Sequence, residues 1–304
     1  MVVGGPKIML PTGAEMPAIG LGTWLSKKNE VGDAVRHALD CGYRHIDTAE
    51  IYANEAEIGV VLDEYLKAGK IKREDLFVTT KLWCTHFQPD DIEPALQESL
   101  KKLKLDYVDL YLTHVPGAYN HEMTKQDHSV TVEQLWKGME ELYNKGLTKA
   151  IGVSNYSIEQ IERVMKIAKV PIHNCQVECY LYFPQFELAE ACKRHNITFT
   201  AYAPIGSPGR SIAAFDSGAK LTWPAASSPL EDPLVKELAT KHHKTPAQVL
   251  IRHLFQRGFI VIPKSVNEKR IKENWNIFDF ELTEEEMKRL NQPKHHQRLF
   301  LQDL

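Results

Sequence analysis

Short apolar runs alternate with amphipathic segments along most of the chain. The runs are IGLGTW (19–24), YRHID (43–47), LFVTTKLW (76–83), YVDLYLTH (107–114), TKAIGVS (148–154), HNCQVE (173–178), ITFTAYAP (197–204) and FIVIPKS (259–265). Brief, nearly continuous apolar runs of this kind read as strands buried on both faces. Between them apolar residues recur at helical spacing, as at Val31, Ala34, Val35, Ala38 and Leu39 in 30–39. The same spacing predicts helices near 54–66, 89–103, 132–144, 158–168, 185–195, 232–242, 246–256 and 268–275. Pro89 opens the one at 89–103.

Eight strand–helix units imply a parallel sheet with right-handed crossovers. On 304 residues they fit a closed (β/α)8 TIM barrel, an α/β fold, better than an open doubly wound sheet. One domain covering residues 1–304 is expected. Ahead of the first strand, KIMLPTGAEMPAI reads as a β-hairpin turning at Pro11, Thr12, Gly13 and Ala14. It is placed to plug one end of the barrel. Residues 115–131 and 207–231 make loops longer than the units require, and the tail 293–304 is a third candidate lid.

Composition narrows the partners. With 37 basic and 40 acidic residues the net charge is -3, which gives no reason to expect nucleic acid or an anionic membrane surface. No apolar run approaches the roughly 20 residues of a membrane span. The start MVVGGPKIML lacks a charged region followed by an apolar core, so no secretory signal is read there. Five scattered cysteines without a C-x-x-C predict reduced thiols in a cytoplasmic protein, with neither disulfides nor a bound metal. No heptad or exposed apolar stripe argues against a monomer.

A barrel carries its chemistry at the C-terminal ends of its strands. The second strand ends at Asp47, with Tyr52 in the next loop; the third ends at Lys81 and the fourth at His114. Tyrosine titrates near pKa 10. A buried ammonium at hydrogen-bond distance would favour the phenolate and lower that value. Asp47 would hold Lys81 charged, His114 would orient a carbonyl oxygen, and Tyr52 would protonate it as it becomes an alkoxide. Such a group supplies no hydride, so reduction needs a cofactor. Gly20-Leu21-Gly22 lacks the third glycine of a dinucleotide-binding fingerprint. The last strand instead leads through Lys264, Ser265, Asn267 and Arg270 into a helix, a pattern suited to a dianionic phosphate. Trp24 and Trp83 flank the same rim and suit an apolar substrate wall. A barrel isomerase or lyase using only the phosphate site is the rival enzyme class, and a binding or structural role on the same fold is the rival outside catalysis.

The stretches GYRHIDTAEIYANEAEIG (42–59), LKKLKLDYVDLYLTHVP (100–116) and IPKSVNEKRIKEN (262–274), with GLGTW, TTKLW, GVSNYS and AYAPIGSP, resemble the aldo-keto reductase superfamily, on its aldose and aldehyde reductase branch. The resemblance is colinear over nearly the whole chain. It implies a tetrad at Asp47, Tyr52, Lys81 and His114, with Tyr52 as the acid, and NADPH-dependent reduction of aldehydes or ketones, small-molecule carbonyls. It further implies that Lys264, Ser265, Val266 and Arg270 hold the adenosine 2'-phosphate and that Glu273 and Asn274 contact adenine. Ser154, Asn155 and Gln176 would clamp the carboxamide, Tyr202 would stack on the nicotinamide, and Ser207 would belong to a loop closing over the pyrophosphate. Thr23, Trp24 and Asp47 match further cofactor contacts. The chain departs from the aldose-type pattern at His114-Val115-Pro116, where many members carry His-Trp-Pro. Val115 is thereby expected to widen the substrate pocket formed with Trp24, Tyr52, Trp83 and His114.

Overall fold

The structure, a computed structural model, describes residues 3–210 and 223–300. A two-stranded antiparallel hairpin, β1 (Lys7–Met9) and β2 (Glu15–Pro17), precedes an eight-stranded parallel sheet. Its strands run in sequence order: β3 (Leu21–Gly22), β4 (His45–Asp47), β5 (Phe77–Leu82), β6 (Leu110–Thr113), β7 (Ile151–Ser154), β8 (Asn174–Glu178), β9 (Thr198–Tyr202) and β10 (Ile260–Val261). Parallel bridges Ile19↔Val261 and Gly22↔Lys264 join the two ends. Amide bonds from Gly20 to Val261 (3.0 Å), Gly22 to Pro263 (3.0 Å) and Val261 to Ala18 (2.8 Å) seal that seam. The (β/α)8 expectation therefore holds, with strands shorter than the apolar runs that announced them. Closing the sheet satisfies backbone groups that an open edge would leave unpaired.

The hairpin sits where the plug was expected. Leu10 and Met16 share one buried cluster with Phe77, Leu110, Ala150 and Ile260, which lie at or next to the first residues of barrel strands. That closes the N-terminal end and leaves the opposite rim for chemistry.

The outer ring is α1 (Lys28–Cys41), α2 (Glu55–Lys67), α3 (Pro89–Leu103), α4 (Val132–Asn144), α5 (Ile158–Ile167), α6 (Phe186–Arg194), α7 (Pro233–His242), α8 (Pro246–Gln256) and α9 (Glu268–Trp275). Their starts are chemically marked. Thr131 with Gln134, Ser157 with Gln160 and Thr245 with Gln248 form capping boxes at α4, α5 and α8. In α1 the buried face is Val31, Ala34, Val35, Ala38 and Leu39, as the spacing predicts. Gly59 of α2 lies against α3: a Cβ there would meet the Lys102 carbonyl oxygen at 2.0 Å. Only glycine permits this approach. A further helix, α10 (Glu284–Leu290), is absent from the sequence reading. It packs on α7 through Glu286 with Lys241 and His242, and Arg289 with Glu237. No helix among the described residues is long and apolar enough to cross a membrane.

Candidate active site

The register pairs Gly22 with Asp47 and Asp47 with Thr79 across β3, β4 and β5, so these strand ends share one level. Lys81, fully buried, reaches back from β5. Its Nζ donates to Asp47 Oδ1 at 2.7 Å and to the Thr48 carbonyl at 2.9 Å. The other Asp47 oxygen accepts from Gln176 Nε2 at 2.7 Å, and the Asp47 carbonyl accepts from Thr23 Oγ1 at 2.9 Å. A buried ion pair is tolerable only when hydrogen bonds take up its remaining capacity, and here the Thr48 carbonyl serves the ammonium and the Gln176 amide the carboxylate.

Tyr52 lies above this pair, its ring centroid 5.2 Å from Lys81 Nζ. The His114 ring stands edge-on to it at 5.6 Å, and Trp83 stands edge-on to His114 at 5.1 Å. The expected lowering of the tyrosine pKa does not occur. Burial, then the Asp47 carboxylate and Tyr202, push the Tyr52 phenol well above its usual 10. Lys81 gives its hydrogen bonds to Asp47 and Thr48 rather than to the phenol. Burial also lowers the Lys81 ammonium, with Asp47 opposing. Burial and the Lys81 charge hold His114 well below 6.5, so the imidazole is neutral. His114 Nδ1 is buried without a partner. A bare lone pair there is cheaper than an orphaned N–H, which assigns the ring hydrogen to Nε2.

A second set of side chains is wired into this group. Asn155 follows β7 with φ 64°, a left-handed conformation that asparagine tolerates well. Its Nδ2 donates to the His114 carbonyl at 2.9 Å and to Ser154 Oγ at 3.2 Å, and its Oδ1 accepts from Tyr202 OH at 2.8 Å. The Asn155 amide donates to the Gln176 carbonyl at 3.0 Å. Ser154, Asn155, Gln176 and Tyr202 thus form one shelf, joined to the tetrad through Gln176–Asp47 and Asn155–His114.

Further round the rim, Asn267 caps α9 by accepting from the Arg270 amide at 3.0 Å, and Ser265 Oγ accepts from the Asn267 amide at 3.1 Å. Lys264 and Arg270 are exposed, and neither forms an ion pair among the described residues. Val266, just ahead of α9, is half-buried, and within α9 Asn274 is buried and Glu273 partly exposed. Ser207 and Gly206 take φ of 44° and 81° at the start of the loop after β9.

An aromatic wall completes the rim. Trp24 meets Trp223 at 5.8 Å and Phe300 at 5.4 Å, Trp223 meets Phe300 at 5.4 Å, and Phe300 meets Tyr202 at 5.6 Å, all edge-on. Val115 is 1% exposed and packs into the main core. It presents no open surface to the rim.

A family model described as the Aldo/keto reductase family matches residues 18–294. The chain belongs to the aldo/keto reductase family. It is 46% identical over 299 residues to aldo-keto reductase family 1 member A1 of Gallus gallus, covering 94% of this chain and 88% of that one. Against member A1-A of Danio rerio the identity is 44% over 305 residues, covering 97% and 91%. Among solved structures, the aldose reductase of Schistosoma japonicum matches with a TM-score of 0.86 at 41% identity, covering 97% of this chain and 94% of that one. The protein is therefore an oxidoreductase of a barrel family that works with nicotinamide dinucleotides.

Asp47, Tyr52, Lys81 and His114 come together as the strand ends predicted, and so do the shelf residues. Lys264, Ser265 and Arg270 gather at the last barrel helix. Sequence reasoning missed Trp223, Phe300 and Asn54. Asn54 Nδ2 donates to the Thr23 and Ser26 carbonyls at 3.0 and 3.1 Å, tying the loop of Trp24 to that of Tyr52. The only sequence signals were the long loop holding Trp223 and the tail holding Phe300. The rest of those two candidate lids, 211–222 and 301–304, lies outside the described residues.

Proposed function

We propose that this protein reduces aldehydes or ketones to alcohols with NADPH, Tyr52 supplying the proton. The observation that carries the proposal is the buried Lys81–Asp47 pair beneath Tyr52 and His114, bonded through Gln176 to the Asn155–Tyr202 shelf. The residues fit a dinucleotide. The shelf offers amide and hydroxyl groups beside an aromatic ring for a carboxamide-bearing ring, and Lys264 with Arg270 leaves two cations without carboxylate partners beside a helix start. A bound nicotinamide would supply the hydride.

The chain's own residues would do the rest. His114, neutral and carrying its hydrogen on Nε2, donates to the carbonyl oxygen and fixes its direction. The Tyr52 proton passes to that oxygen as charge develops on it. A phenol with a raised pKa releases its proton only to a strongly basic acceptor, so Tyr52 stays loaded at neutral pH and gives way to the alkoxide. The Lys81 charge stabilises the phenolate left behind, and Asp47 anchors Lys81 so that it does not move during the transfer. Trp24, Trp83, Trp223 and Phe300 would exclude water and favour an apolar substituent on the carbonyl.

Preference for NADPH over NADH rests on Lys264 and Arg270. The test is Tyr52→Phe. It should bind NADPH with unchanged fluorescence quenching yet lose carbonyl reduction by at least about a thousandfold. Turnover near that of the unmodified protein would remove Tyr52 as the acid.

A further inference from the structure

Glu178 is the last residue of β8 and is 2% exposed. Its two carboxylate oxygens each take one main-chain amide from the far end of the chain. Oε1 accepts from Leu299 at 2.7 Å and Oε2 from Phe300 at 3.0 Å. No described lysine or arginine lies within ion-pairing distance of it. Two further bonds strap the same tail: Tyr180 OH donates to the Gln297 carbonyl at 2.8 Å, and the Gln297 amide donates to the Tyr182 carbonyl at 2.9 Å. The clasp fixes the Phe300 backbone, and the Phe300 ring fills the space between Trp24, Trp223 and Tyr202. Glu178 also pairs with Tyr202 in the sheet. One carboxylate therefore sits behind both the shelf tyrosine and the tail aromatic.

We propose that Glu178 is a positioning residue that closes the tail at residues 297–300 as an aromatic lid over the substrate side of the site, in a manner set by its own protonation. The inference rests on the reductase reading only for its effect on substrate. The clasp stands on geometry alone.

Other groups could cap two amides, but a carboxylate does so at the expense of burying a charge without a contacting cation. Burial accordingly pushes Glu178 up from 4.5 to about 7, while the Leu299 and Phe300 amides and the more distant Arg298 and Arg210 pull the other way. With the tail lifted, water would reach the carboxylate and return it toward 4.5. The closed form therefore holds the proton more tightly than the open one. Acid favours the closed lid. As pH rises from 4.5 towards 7 the closed-to-open ratio falls, by up to about tenfold per pH unit, and it levels off above that window.

The other ionisable groups facing Glu178 do not compete in this range. Burial pushes the Cys179 thiol, which also lies near Arg257, up to about 12 and the Tyr180 and Tyr202 phenols higher still. Tyr182, on the same loop, is bonded to Asp232 at 2.8 Å and faces His295 at 5.2 Å. His295 and His296 are the tail's own imidazoles, and the test must remove them.

Hydrogen–deuterium exchange of the C-terminal peptide, corrected for intrinsic pH dependence, reads the clasp without any turnover. It would be followed from about pH 5.5 to 8 in the full chain, a range that covers the upper part of the fall and the level region above it. Protection should fall with rising pH and then level in the unmodified protein and in the His295→Asn, His296→Asn double variant. It should be independent of pH in Glu178→Gln. Glu178→Ala, which orphans two amides, should exchange roughly tenfold faster at pH 6. With NADPH and an aromatic aldehyde, Glu178→Ala should raise KM roughly tenfold while kcat moves less than about threefold. Phe300→Ala should reproduce that KM change while leaving the Leu299 amide protected. Flat protection in the unmodified protein, or a pH dependence that survives in Glu178→Gln, would overturn the clasp as a switch. Faster exchange in Glu178→Ala with an unchanged KM would overturn its role as a lid. Absence of all turnover in the unmodified protein would count against the reductase reading instead, and exchange would still decide the clasp.

Discussion

Tyr52 keeps its proton because its surroundings are dry and already contain a carboxylate. That direction has a kinetic consequence. A phenol held above 10 stays protonated through the neutral range, and an imidazole held well below 6.5 stays neutral there. The proton-donating arrangement should be intact across that span. With an aldehyde substrate, kcat for reduction should stay level through the neutral range and decline only at pH above the usual tyrosine value; a decline centred near pH 7 would mean another group supplies the proton. Lys81→Met should lower kcat by at least about a hundredfold. It should also cost stability, because Asp47 would be left buried with one partner fewer. Under the proposed function, Arg270 bears on cofactor choice alone. Arg270→Ala should weaken NADPH binding roughly tenfold or more and NADH little, since the lost contact is to the extra phosphate. Equal weakening, measured by fluorescence titration, would misplace the phosphate site.

The long helices were legible because each buries a stripe of apolar side chains at regular spacing, and because Thr131, Ser157, Thr245 and Pro89 mark their starts. α10 was not legible. It has seven residues, three of them glutamates in its first turn, and its only buried members are Glu286 and Leu290. Its Thr283–Glu286 capping box was a readable sign, but one turn of periodicity is too little to separate helix from loop. What fixes it is charge. Burial works against the Glu286 carboxylate, but the Lys241 ammonium, the Thr283 amide and the His242 ring bring it from 4.5 down to about 2. A depressed value contributes stability above 4.5 that is lost as pH falls towards 2. The acid-side drop in Tm should therefore be shallower in Glu286→Gln than in the unmodified chain. At the α2–α3 contact the limit is steric instead. Gly59→Ala should cost roughly 1–3 kcal/mol or more, seen as a Tm lower by several degrees, because the backbone of α3 must retreat.

Across the whole molecule, the site was legible to the extent that barrel topology converts order in sequence into order around a rim. Asp47, Lys81 and His114 could be placed together because each lies at or next to the end of a strand. Bonds that span the chain carried no such sign. Gln176 meets Asp47 across 129 residues, and Glu178 meets Phe300 across 122. Loops and tails have no periodicity, so the side chains they bring to the rim, Trp223 and Phe300, emerge only in three dimensions. The closed seam between Gly20 and Val261 is what makes the rim a ring, and the hairpin carrying Leu10 and Met16 fills its floor. The central claim is that this ring is an NADPH-dependent carbonyl reductase. The most direct measurement is loss of the reduced-nicotinamide absorbance when the protein is mixed with NADPH and a panel of aldehydes and ketones, repeated with NADH. The account predicts oxidation of NADPH, much slower oxidation of NADH, and preference for carbonyls with apolar substituents. Tight NADPH binding with no oxidation by any carbonyl would contradict it.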